Sequence, residues 1–167
     1  MQRLLDWAEK NPLIDRTRIA MTGNSGGGVV TAYTAAIDTR TRVAIPSCSF
    51  TSVMSAEGFI FHCDCCLVPK LRDWGDWKEL GGLVAPRHLL IVHGLDDSLH
   101  HPPTVEKLAS NIGKIFQAAG VPNHTKLGWG NSGHRFYPNL MWPFFEKGLR
   151  STNNKSTGCL FAASPFH

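Results

Sequence analysis

Thr17-Arg18-Ile19-Ala20-Met21-Thr22-Gly23-Asn24-Ser25-Gly26-Gly27-Gly28 is the stretch on which the fold turns. A β-prone run, Thr17 to Thr22, enters Gly23-Asn24-Ser25-Gly26-Gly27, a G-x-S-x-G pattern, and a small-residue segment with Val29, Val30, Tyr33 and Ala36 follows to Ile37. The first segment predicts a strand and the last a helix beginning at Ser25. A strand that becomes a helix within one or two residues must hold the serine in a strained conformation, and glycines two before and two after it leave room for the backbone. Ser25 then stands above a sheet edge as a candidate nucleophile. The N–H of Gly26 and the positive end of the helix dipole point at any oxyanion forming there, so Gly26 is the candidate oxyanion-hole donor. A phosphate-binding reading of the same glycines fails, because there is no Lys-Ser/Thr pair and no G-x-G-x-x-G spacing.

Working outward, Gln2 to Lys10 reads as a short amphipathic helix ended by Asn11-Pro12. Arg42 to Pro46, His88 to His93 and His124 to Trp129 read as three more strands, the second of them continuously apolar as in parallel sheets covered on both faces. Thr104 to Ala119 and Asn139 to Leu149 read as helices, and residues 51 to 85 as an irregular insertion. This alternation predicts an α/β domain over residues 1–150 with a mostly parallel sheet and flanking helices. Residues 151–167 read as a loose tail.

An activated serine needs a base, and the base needs a carboxylate to fix its tautomer. The sequence offers both on loops after later strands. Eight histidines are present. His88 and His93 bracket an apolar strand and are expected to be packed; His100 and His101, before Pro102-Pro103, are expected in an exposed loop. His62 belongs to a cysteine cluster, His124 starts a strand and His167 ends the tail. Only His134 lies in a Gly-containing loop just beyond the last strand, which makes it the candidate general base. Asp96 and Asp97, after the apolar strand, compete for the acid.

Composition limits the alternatives. The 167 residues carry 17 basic and 13 acidic side chains, a formal charge of +4, scattered rather than clustered, so nucleic-acid binding is not expected. No apolar run reaches the roughly 20 residues of a membrane span, and Met1 to Lys10 alternate charged and apolar groups unlike a signal peptide, leaving the cytoplasm as the default location. His62-Cys63-Asp64-Cys65-Cys66 invites a zinc reading, yet structural sites spread their ligands over two separated pairs, and Cys48 and Cys159 are isolated. A buried or loop-stabilising cluster is the expectation, with no metal and no cofactor.

The elbow context from Arg18 to Gly28 resembles the α/β-hydrolases grouped around acetyl xylan esterases and dienelactone hydrolase-like proteins. So do Pro46-Ser47-Cys48-Ser49-Phe50, His62-Cys63-Asp64-Cys65, Ala85-Pro86-Arg87, His93-Gly94 with Asp97 three residues on, and Gly133-His134-Arg135-Phe136-Tyr137. The resemblance implies Ser25, Asp97 and His134 as a catalytic triad, Asp97 being the third residue after the glycine. It also implies hydrolysis of carboxylic esters through an acyl-enzyme, acetyl esters of carbohydrate being the implied substrate. Resembling proteins carry further strands and a second oxyanion donor before the elbow. The expectation is therefore a C-terminal half lacking the N-terminal strands, whose first strand is an open edge that promotes self-association. A non-catalytic remnant of the fold is the alternative.

Overall fold

The computed structural model describes residues 1–56, 66 and 68–150. Four strands, β1 (Ala20–Asn24), β2 (Val43–Ser47), β3 (His88–Gly94) and β4 (Thr125–Gly130), form one sheet in the order β1-β2-β3-β4, every pair parallel. The helices are α1 (Gln2–Lys10), α2 (Gly26–Ile37), α3 (Leu71–Trp74), α4 (Trp77–Gly82), α5 (Pro102–Ala118) and α6 (Pro138–Arg150), with a 3₁₀ turn at Pro122–His124. Parallel neighbours require a crossover between them, and α2 and α5 supply two of the three.

Strand periodicity divides the core in two. Ala44, Leu89 and Ile91 face one side, where they meet Val29, Ala32 and Ala35 of α2, Trp77 and Leu80 of α4, and Leu108, Ile112 and Phe116 of α5. Val43, Ile45, Leu90 and Val92 face the other, against Met141 and Phe145 of α6 and the ring of Tyr137. All seven residues of β3 are buried, as a strand covered on both faces must be. Arg87 locks the layers at the end remote from the elbow, donating to the carbonyls of Ala35, Asp38, Thr41 and Leu83 and so satisfying acceptors that the C-terminus of α2 leaves open.

Three expectations are corrected. The first strand begins at Ala20 rather than Thr17, because Asp15 accepts from both the N–H and the hydroxyl of Thr17 and holds the chain in a turn there. The insertion at 51 to 85 is not irregular throughout: it carries α3 and α4, and α4 is nucleated by a capping box in which the Asp76 carboxylate caps the helix and Glu79 receives the Asp76 N–H at 2.7 Å. Trp77, fully buried, packs edge-on against Tyr33 and Phe50 and anchors that insertion to the core. The third correction concerns His100, which is buried rather than exposed. His62, Cys63, Cys65 and the tail 151–167 lie outside the described residues; Cys66 is buried.

No helix among the described residues is long and apolar enough to cross a membrane. β1 forms one edge of the described sheet.

Candidate active site

Ser25, Asp97 and His134 follow the C-terminal ends of β1, β3 and β4, so the parallel topology puts all three on one edge of the sheet, where ligands bind in open α/β folds. Ser25 has φ 55° and ψ −121°, a left-handed conformation that a non-glycine residue adopts only when its surroundings impose it. The imposition is visible. The Ser25 N–H donates to Ser47 O at 2.9 Å, extending the β1–β2 ladder through the serine, while Ser25 O already accepts from Val29 N at 3.0 Å in the first turn of α2. One residue is thus the last of a strand and the cap of a helix.

The glycines that permit this are not quite those of the pattern. A Cβ on Gly23 would collide with the backbone of Gly27, and one on Gly28 would collide with Ser49 Oγ and lie 2.7 Å from Ser47 O. A Cβ on Gly27 would meet nothing within 4 Å. The close approach of α2 to the end of β2 therefore rests on Gly28, one residue beyond the motif.

Asp97 and His134 are directly joined: His134 Nδ1 lies 2.8 Å from Asp97 Oδ2, and the other carboxylate oxygen accepts the Leu99 N–H at 3.1 Å. Burial acts to raise the Asp97 pKa, but the His134 and Leu99 hydrogen bonds, with the field of His100, outweigh it and hold the carboxyl below the usual range. An ionised Asp97 makes Nδ1 of His134 the protonated nitrogen and leaves Nε2 with a lone pair. Asp96 is exposed, and its N–H donates to Ser132 O, so of the two adjacent acids only Asp97 bonds His134.

The loop bearing His134 is tied to the elbow through Cys48. Its thiol donates to Arg135 O at 3.5 Å and its N–H to Val92 O at 2.8 Å, directly after Ser47, whose carbonyl holds Ser25. Tyr137 braces the loop internally, its hydroxyl donating to Gly133 O at 2.5 Å. Gly94 and Gly130 are the close-packed points of this loop pair, since a Cβ at Gly94 would overlap the carbonyls of Ser132 and Gly133 and one at Gly130 the Tyr137 ring.

Behind Asp97 and His134 stands a histidine layer. His93, fully buried, donates from Nε2 to Phe50 O at 2.9 Å, and burial, reinforced by His100, pushes its pKa down to about 3, so it stays neutral. His100 packs edge-on to His93 with centroids 4.5 Å apart and face-on to His134 at 6.1 Å. The sequence gives little warning of His100: Pro102 and Pro103 start α5, and the chain reaches them through a tight turn in which His100 N donates to Asp97 O, folding the imidazole inward.

The helix-starting Gly26 has an N–H without an intrahelical acceptor, as the first residue of any helix does. The Ser25 N–H is committed to the sheet.

A model of the prolyl oligopeptidase family matches residues 1–140. A Bacillus subtilis (strain 168) protein described as a putative hydrolase, YtaP, is 27% identical over 138 residues, which is 78% of this chain and 44% of that protein. Among solved structures, a carbohydrate esterase family 15 glucuronoyl esterase from Caldicellulosiruptor kristjansonii superposes with a TM-score of 0.75 at 22% identity, covering 98% of this chain and 52% of its own. A glucuronoyl esterase from Sporotrichum thermophile superposes with a TM-score of 0.70 at 22% identity, covering 92% and 51%. The superpositions speak for the fold. The chain spans about half the length of these relatives.

Proposed function

The chain belongs to the prolyl oligopeptidase family of α/β-hydrolases, and from that premise we propose that it is a serine hydrolase cleaving carboxylic esters through an acyl-enzyme. The observation that carries this reading is the 2.8 Å contact between His134 Nδ1 and Asp97 Oδ2, on the same sheet edge as a serine held at φ 55°. Hydrolysis and an α/β-hydrolase framework accord with its relatives; the serine mechanism is the further step.

Ser25 Oγ attacks the ester carbonyl as His134 Nε2 takes its proton, and Asp97 stabilises the imidazolium that results. The Gly26 N–H and the N-terminal end of α2 receive the developing oxyanion. His134 returns the proton to the departing alcohol, leaving Ser25 acylated. Water, deprotonated by His134, then releases the acid and restores the serine.

For the substrate, we favour an ester borne on a carbohydrate. The elbow and His134 motifs support an acetyl ester, with the sugar as alcohol. The glucuronoyl esterases that share the fold, as their name states, act on an acyl group that is itself the sugar. Parallel assays on acetylated xylan and on an alkyl glucuronate separate the two.

The test of the mechanism is a fluorophosphonate probe, which reacts with activated serines. Labelling of the peptide containing Ser25, lost in Ser25→Ala and slowed strongly in His134→Ala, is the expected result. An unlabelled Ser25 in folded protein would favour the alternative of a non-catalytic member of the fold.

A further inference from the structure

We propose that Asp97, His100 and His134 form a binding site for a zinc-class divalent cation, and that its occupation switches the hydrolytic site off. The binding half stands on geometry alone; the switching half rests on the mechanism proposed above.

A ligand atom from each of the three side chains lies within 4.8 Å of those of the others. Asp97 Oδ2 is the common point, 2.8 Å from His134 Nδ1 and 3.9 Å from His100 Nε2. The second distance is too long for a hydrogen bond, so two imidazole nitrogens face one carboxylate oxygen but only one bonds to it. Zinc holds nitrogen and oxygen ligands at about 2.0–2.2 Å, which places tetrahedral ligands about 3.3 Å apart. Widening the first separation and closing the second by roughly half an ångström each brings both nitrogens to that spacing from Asp97 Oδ2, and the two nitrogens, within 4.8 Å of each other, close to match.

The surroundings suit the ion. The side chains of Asp97 and His100 are almost wholly buried, at 0% and 3% exposure, while His134, 28% exposed, is the member of the group that reaches solvent. Asp97 Oδ1 is pinned by the Leu99 N–H, an outer-shell bond of the kind that orients ligating carboxylates. Two imidazoles and one carboxylate are a borderline donor set, suited to zinc, cobalt or nickel rather than to calcium or magnesium. Cys48 and His93 also lie close to Asp97. Their donors are engaged, however, the Cys48 thiol with Arg135 O and His93 Nε2 with Phe50 O, and burial pushes the thiol pKa up, away from the thiolate that metals need.

Occupation and catalysis exclude each other through the tautomer of His134. The cation takes the Nδ1 lone pair; the proton that Nδ1 carried leaves and one is taken up at Nε2, with no net change in protons. An imidazole protonated at Nε2 cannot accept the proton of Ser25, so the base is lost without any movement of the serine.

The experiment uses the full chain carrying His62→Ala, Cys63→Ser, Cys65→Ser and Cys66→Ser, which strips the competing His62–Cys66 cluster of its imidazole and thiols. Zinc is titrated calorimetrically, cobalt(II) is bound as a spectroscopic probe, and fluorophosphonate labelling is followed with and without zinc. Expected are one zinc per chain, weakened roughly tenfold or more by His100→Phe; cobalt d–d bands without a thiolate charge-transfer band; and slower Ser25 labelling with zinc, read as a ratio within each variant. Absence of binding, binding indifferent to His100→Phe, or a thiolate charge-transfer band would overturn the site. Binding that leaves labelling unchanged would overturn the switch. If Ser25 does not label even without zinc, the hydrolase mechanism fails while calorimetry and the cobalt spectrum still decide the site.

Discussion

His134 donates from Nδ1 to Oδ2 of Asp97 at 2.8 Å, although 37 residues separate them in the chain, and the neighbouring Asp96 points its side chain to solvent. In the proposed mechanism this bond selects the His134 tautomer. Asp97→Asn should therefore lower ester hydrolysis by on the order of 10³–10⁴, since an amide in that place favours the wrong tautomer. Asp96→Asn should leave the rate within about twofold, being a surface substitution. Initial rates on p-nitrophenyl acetate rank the two; the reverse order would move the acid to Asp96.

Ser25→Ala and His134→Ala should each reduce the rate by a similar factor, roughly 10⁴ or more in a fully assembled triad. The double variant should be scarcely worse than either single one, because a base without its nucleophile has nothing to activate. Multiplicative losses would mean that the two side chains act separately.

Gly27 and Gly28 of α2 should respond in opposite directions. Gly27→Ala places its methyl in open space and removes a poor helix former, so the melting temperature should rise, by the equivalent of up to about 1 kcal/mol. Gly28→Ala drives a Cβ into Ser49 and the end of β2 and should destabilise by about 1–3 kcal/mol. Thermal unfolding of the two variants checks the difference.

Acid should destabilise the fold through its buried histidines. Burial, with repulsion from His124, lowers the His88 pKa to about 4, and His93 titrates at about 3, both below the ordinary value of 6.5. Between those values and 6.5 the unfolded chain binds more protons than the folded one, so stability is full above about 6.5 and declines as pH falls toward 4. His88 alone contributes on the order of 3 kcal/mol to this decline. Urea midpoints measured from pH 7 to pH 4.5 should fall, and His88→Leu should flatten the slope.

Self-association should run through β1. Ser25 N bonds Ser47 O and Ile19 O accepts from Arg42 N, so the alternation of a parallel strand turns the amides of Ala20, Thr22 and Asn24 away from β2, toward the outer side of the described sheet. Light scattering should show oligomers that dissociate on dilution. Ala20→Pro, which deletes one outward donor at the first strand position, should weaken them without loss of secondary structure. An unaltered oligomer would place the contact elsewhere.

The sequence by itself determined the order of the four strands and of α1, α2, α5 and α6, the serine at the sharpest strand-to-helix junction and the loops that carry Asp97 and His134. Hydrophobic periodicity and glycine-bearing turns are local signals, and Gly23-Asn24-Ser25 states its strain within a few residues. It also held an unread local signal, the Asp76-to-Glu79 capping box that starts α4 inside a segment expected to be irregular. Tertiary structure alone decided which groups meet. Asp97 and Asp96 are chemically alike, and only the pairing of β3 with β4 turns one toward His134 and the other outward. His100 beside two prolines reads as a loop residue, yet the turn onto α5 buries it between His93 and His134. Gly28 rather than Gly27 permits the close approach, because the neighbour it admits, Ser49, arrives from beyond β2. Contacts across twenty or more residues depend on how strands register in the sheet, and no short window of sequence encodes that register.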